Sequence, residues 1–224
     1  MPELQLVSKD GHEFSAYESS PVGKVKGSVV IIQEIFGVNA HIQSVVEFYA
    51  GEGYYAIAPA LFDRCETGVA LGYDAQGMQK GIQLVTKLKP KNTMADIAAA
   101  AFVIKQKYPE TKSAIVGYCF GGTMAWLSAS ALDSFSCAVG YYGGQIASFA
   151  DQTPQCPTLL HFAGDDAHIP LADVEKVRSA QPQVKIEIYS GAKHGFNCDA
   201  RSDYQQESSD LAKRRSLDFL AEHL

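Results

Sequence analysis

The run Ser113-Ala-Ile-Val-Gly-Tyr-Cys-Phe-Gly-Gly-Thr-Met-Ala-Trp-Leu127 is apolar, breaks at Gly117-Tyr-Cys119-Phe-Gly121, and resumes as a small-residue helix. A buried strand that passes into a helix within one or two residues is a unit of a layered α/β fold. Glycines two residues before and after Cys119 let neighbouring segments come close to a turn whose apex is under backbone strain. The same turn aims the first N–H groups of the new helix at the apex side chain. There they stabilise an oxyanion and favour a thiolate over a thiol. The pattern reads as a nucleophile elbow with cysteine at its apex.

The rest of the chain keeps the same rhythm. Leu4–Val7 and Glu13–Tyr17, split by Lys9-Asp10-Gly11, predict an N-terminal hairpin. Strands follow at Ser28–Gln33, Tyr55–Ala58, Ser113–Gly117, Cys137–Tyr141, Thr158–Phe162 and Lys185–Tyr189. Helices are predicted at Ala40–Gly51, Thr93–Lys107, from Phe120, at Leu171–Ala180 and at Ser208–His223. The fold class is therefore α/β, a mostly parallel central sheet with helices on both faces. No repeat or linker divides the 224 residues, which fit one domain, 1–224. Residues 61–90 are the least regular stretch. There Gly68, Gly72, Gly77 and Gly81 interrupt a possible helix, leaving a lid or a plain connection.

Composition narrows the function classes. A formal net charge of −6 argues against a nucleic-acid footprint or an anionic membrane surface. No run approaches the roughly 18 apolar residues of a membrane span, and the first ten residues lack the apolar core of a signal peptide. The expected setting is the cytoplasm, and the expected state is a monomer. The five cysteines, Cys65, Cys119, Cys137, Cys156 and Cys198, show no C-x-x-C spacing. They read as free thiols, with no metal site and no cofactor expected.

In parallel sheets reactive groups collect just past the carboxyl ends of strands. Glu34 ends Val29-Val-Ile-Ile-Gln-Glu34, Asp165 and Asp166 follow Leu159-Leu-His-Phe-Ala-Gly164, and His194 follows the strand ending at Tyr189. The order Cys119, Asp, His194 is that of an α/β-hydrolase triad. In it His194 takes the thiol proton and later protonates the leaving oxygen, and an aspartate holds its tautomer. His168 is a rival base, but two residues from Asp166 it is poorly spaced to bracket the nucleophile from the opposite side. His12, His41, His161 and His223 fall in a turn, a helix, a strand and the C-terminus.

At these positions the chain resembles the dienelactone hydrolase family of the α/β-hydrolases. The resemblance rests on Gln33-Glu-Ile-Phe-Gly-Val-Asn39, Gly117-Tyr-Cys-Phe-Gly-Gly122, Ala138-Val-Gly-Tyr-Tyr-Gly143, Gly164-Asp-Asp-Ala-His-Ile-Pro170 and Gly191-Ala-Lys-His-Gly-Phe196, in that order across nearly the whole chain. It implies Cys119 as nucleophile, His194 as base and Asp166, four residues before the proline, as the acid. It also implies that Glu34 accepts the thiol proton when substrate displaces its carboxylate, and that the N–H groups of Phe120 and Ile35 form the oxyanion hole. The implied reaction is hydrolysis of a small lactone or ester through a thioacyl-enzyme. A carboxylesterase acting on neutral short esters and a non-catalytic binding protein are the alternatives.

One departure bears on the substrate. The family grips a substrate carboxylate with arginines, one in the middle region and one four residues after the histidine. Here the second position is Cys198, and residues 65–90 hold only Lys80, Lys87 and Lys89 as basic groups. Arg64 and Arg201 are the remaining candidates to reach inward, a surface role being the simpler expectation for each.

Overall fold

A computed structural model describes residues 3–224. Eight strands form one sheet in the order β1-β2-β4-β3-β5-β6-β7-β8. They are β1 (Glu3–Val7), β2 (Glu13–Ser19), β3 (Ser28–Ile32), β4 (Tyr55–Pro59), β5 (Ser113–Tyr118), β6 (Cys137–Tyr141), β7 (Thr158–Ala163) and β8 (Lys185–Tyr189). Only β2 runs against the rest, pairing antiparallel with β1 and β4. Six α-helices accompany them: α1 (Ala40–Gly51), α2 (Ala75–Val85), α3 (Pro90–Lys107), α4 (Phe120–Ala131), α5 (Leu171–Ala180) and α6 (Gln206–His223).

The strand order reverses at β3. From β3 the chain moves through α1 to β4 on one side, whereas from β5 it moves through α4 to β6 on the other. Right-handed crossovers in opposite directions put α1 and α4 on opposite faces of the sheet. α6 joins α1, with Lys213 Nζ 5.8 Å from the Phe48 ring. Both faces are thus covered, and every residue of β3, β4, β5, β6 and β7 is buried. Each fully buried Val or Ile there contributes about 1.5–3 kcal/mol, which is why these strands read as continuous apolar runs.

The expected strands and helices all form, with shifts of a few residues at their ends. α3 starts at Pro90 rather than Thr93, because proline at the first helical position lacks an N–H that has no partner there anyway. The irregular stretch 61–90 holds a single helical turn at Leu61–Arg64 and the helix α2. The glycines in α2 mark close packing: a Cβ on Gly81 would lie 2.2 Å from the carbonyl oxygen of Ile35. No helix among the described residues is long and apolar enough to cross a membrane.

Arg64 corrects its sequence reading. It is neither on the surface nor in the cleft: its side chain bonds Asp96 Oδ2 from Nε at 2.6 Å and Asp10 Oδ2 from Nη1 at 2.9 Å. Asp96 is fully buried, so this cation neutralises an acid that would otherwise be stranded, tying the β1–β2 turn to α3.

Candidate active site

The reversal at β3 opens a crevice beyond the carboxyl ends of β3 and β5, where ligands collect in open α/β sheets. Ile32 of β3 is in register with Gly117 of β5. Two residues further along each chain, just past the paired strands, come Glu34 and Cys119.

Cys119 sits at φ 55° and ψ −115°, a region that a residue with a side chain rarely occupies. The surrounding structure holds it there: its N–H donates to Tyr141 O at 2.9 Å, and its carbonyl accepts from Gly122 N at 2.9 Å. A Cβ on Gly121 would come within 2.3 Å of Ile32 O, so only glycine lets α4 start this close to β3. Among the described residues the N–H groups of Phe120 and Ile35 donate to no other backbone carbonyl. Phe120 N–H opens α4, and Ile35 is held from behind by α2 packed on its carbonyl. The two are free to act on an oxygen beside Cys119.

The predicted relay is assembled. His194 Nε2 lies 3.2 Å from Cys119 Sγ, and His194 Nδ1 lies 2.8 Å from Asp166 Oδ2. Burial works against the charged imidazole, but the bonds to Asp166 and Cys119 outweigh it and raise the His194 pKa to about 10. Burial likewise pushes the Asp166 carboxyl up, yet the bond from His194 outweighs it and holds Asp166 below its ordinary value. The other Asp166 oxygen accepts the backbone N–H groups of His168 at 2.8 Å and Ile169 at 3.2 Å, so the acid is pinned before it meets the histidine. Asp165 is exposed. His168 borders the site, its ring edge-on to His194 at 5.3 Å.

Glu34 is fully buried, but it is not bonded to Cys119. Its Oε2 accepts the Tyr73 hydroxyl at 2.8 Å, and its Oε1 faces Arg201 Nη1 at 3.7 Å. Arg201 therefore departs from its surface expectation: its side chain is 11% exposed and packs against Gly195, next to His194. The loop after β8 folds back under α6 and turns this arginine inward. A guanidinium thus reaches the cleft from seven residues beyond His194, while Cys198, at the expected position, is buried.

Tyr73 and Tyr142 were given no role from the sequence, and His41 was set aside there as a helix residue. Tyr142 follows β6 at φ 38°, with its ring 5.1 Å from that of His194. Burial, then the neighbouring Glu34, Cys198 and Cys119, drive its hydroxyl pKa well up, so it stays a proton donor. Burial pulls the His41 pKa down against the opposing pull of Glu34 and Asp199, which keeps the ring neutral. A tyrosine just past a strand end was the one available signal, for Tyr142.

A strained cysteine on an elbow, a buried His–Asp pair, and this strand order together define an α/β-hydrolase. Residues 14–224 match the model of the dienelactone hydrolase family. The chain is 33% identical to the carboxymethylenebutenolidase of Pseudomonas putida, over 97% of this chain and 95% of that protein. It is 37% identical to a Synechocystis protein provisionally given the same name, over 92% of this chain and 90% of the relative. A crystal structure of a Klebsiella pneumoniae protein, provisionally described as a dienelactone hydrolase, superposes with a TM-score of 0.86 at 28% identity, covering 99% of both chains. The chain belongs to the dienelactone hydrolase family.

Proposed function

We propose that this protein hydrolyses a small lactone or ester through a thioacyl-enzyme on Cys119. The observation that carries the reading is the unbroken line from Cys119 Sγ through His194 to buried Asp166, at 3.2 and 2.8 Å, beside two free N–H groups.

In the reaction, the thiol proton passes to His194 before attack, in keeping with its raised pKa, and sulfur then attacks the carbonyl carbon. The C–S bond forms and the carbonyl π pair moves onto oxygen, where the N–H groups of Phe120 and Ile35 bind it. Collapse breaks the C–O bond, and the imidazolium protonates the departing oxygen, leaving a thioester. Water, deprotonated by His194, attacks the thioester carbonyl. Sulfur leaves and recovers its proton.

Arg201 is the candidate carboxylate receptor. A substrate carboxylate that engages it competes with Glu34, whose freed Oε1 then becomes a second acceptor for the thiol proton. This supports a carboxylated lactone, the substrate class named by the Pseudomonas putida relative. Neutral esters are the second reading, favoured by Glu34 already facing Arg201 and by Cys198 where the family expects an arginine.

The test is steady-state hydrolysis of dienelactone, other carboxylated lactones, and neutral aryl esters by wild type, Cys119→Ala and Arg201→Ala. Cys119→Ala is expected to lose at least about 10³-fold in kcat/KM on every substrate turned over, and its full activity would rule out the thioacyl route. Arg201→Ala should lose roughly 10- to 100-fold on carboxylated lactones alone, the value of a charge-assisted bond. An equal effect on neutral esters would transfer the assignment to them.

A further inference from the structure

Behind the catalytic cysteine lies a second group of side chains with metal-binding chemistry. Glu34, His41 and Cys198 are all at least nine-tenths buried, and each brings one ligand-type atom to within 4.8 Å of the other two. Glu34 Oε1 and both ring nitrogens of His41 have no hydrogen-bond partner in the protein. Buried polar atoms without a hydrogen bond are costly; here Glu34 Oε1, 3.7 Å from Arg201 Nη1, and the His41 ring are left without one beside the Cys198 thiol.

We propose that Glu34, His41 and Cys198 form a binding site for a borderline-soft divalent cation of the zinc type. The donor set of one carboxylate, one imidazole and one thiol is that of zinc rather than of calcium or magnesium, which require oxygen cages. Ligands around a tetrahedral zinc stand roughly 3.3–3.8 Å apart, so these side chains need to close by about 1 Å. The Cys198 thiol releases its proton to solvent on binding. Thiolate and Glu34 together then match the double positive charge, with a water in the fourth position.

Three surrounding features favour the site. His41 Nδ1 lies 3.6 Å from Asp199 Oδ1, too far for a hydrogen bond but near enough for the exposed Asp199 side chain to close on the imidazole once a metal fixes its ring. Arg201 has Asp203 at 3.8 Å as an alternative partner, so it is not stranded if Glu34 turns to a cation. A cavity of about 60 Å³ lined by His41, Asn197, Asp199 and Lys213 reaches the His41 side of the cluster, and the Asp199 side chain is 75% exposed. The spacing of the cysteines argued against zinc because the three ligands come from the end of β3, the start of α1 and the loop after β8. Such a cluster has no local signature.

Binding does not depend on the proposed reaction. Its consequence does: a cation here captures Glu34 and slows turnover without touching Cys119.

Cobalt(II) serves as a spectroscopic stand-in for zinc, titrated into chelator-treated wild type, Cys119→Ala, Cys198→Ser and His41→Gln. One equivalent should bind wild type and Cys119→Ala, giving a thiolate-to-cobalt absorption band. The band should vanish in Cys198→Ser, and His41→Gln should need at least about 10-fold more cobalt. A band that survives in Cys198→Ser, or that disappears in Cys119→Ala, would place the ion on the catalytic thiol and overturn the site, as would no band in any protein. If Cys198→Ser does not fold, thermal melts decide: excess zinc should raise the Tm of wild type and Cys119→Ala but not of His41→Gln, and an equal rise in His41→Gln refutes the proposal.

Discussion

The backbone of Cys119 carries its cost in plain view. A residue with a Cβ at φ 55° is strained by about 1–3 kcal/mol, and the elbow holds it because the turn must expose the side chain next to free N–H groups. Alanine keeps that strain, and glycine relieves it. Cys119→Gly is therefore expected to melt above Cys119→Ala, although glycine adds up to about 1 kcal/mol of unfolded-state entropy. Thermal or urea unfolding of the two variants checks this, and an alanine variant equal to or more stable than the glycine variant would rule out strain at Cys119. Cys119, Asp166 and His194 were legible in the chain because each sits one to five residues past a strand end, with the resemblance choosing Asp166 over Asp165. Glu34 was legible in place, but its partners were not: Tyr73 and Arg201 reach it from loops whose course no local pattern dictates.

At the level of elements, α2 has a role beyond connection. Of its glycines, which made the sequence look irregular, Gly81 lets the helix press against the carbonyl of Ile35, one peptide beyond the Ile35 N–H. Gly81→Ala would place a methyl group 2.2 Å from that oxygen, so helix or loop must move. The expected result is destabilisation of about 1–3 kcal/mol with a fall in kcat larger than any change in KM, since the proposed oxyanion donor would act mainly in the transition state. Urea melts and steady-state kinetics measure both. A variant that loses stability but keeps its kcat would show that α2 supports the fold without positioning the donor. Helix propensity pointed the wrong way here, since glycine costs about 1 kcal/mol per helical position and its packing benefit is seen only against a neighbouring loop.

Over the whole molecule, the site couples to stability through charge. The His194 pKa stands at about 10 in the fold, above the ordinary imidazole value near 6.5. Its contribution is therefore fully present below about pH 6.5, where the unfolded ring is also protonated, and is lost as the pH climbs towards 10. Wild type should lose stability relative to His194→Gln across that window, measured by urea unfolding at several pH values. A constant difference between the two proteins would refute the charged pair. The alternation of apolar strands with helices, the elbow, and the order Cys119, Asp166, His194 were all determined by the sequence alone. Periodicity and strand ends are properties of short segments, and they survive without knowledge of the fold. Tertiary structure alone decided that Arg64 neutralises buried Asp96, that Arg201 turns inward to Glu34, and that Glu34, His41 and Cys198 meet. The physical reason is that each of these contacts joins side chains from separate segments, so its energy exists only once the fold has brought those loops and helices together.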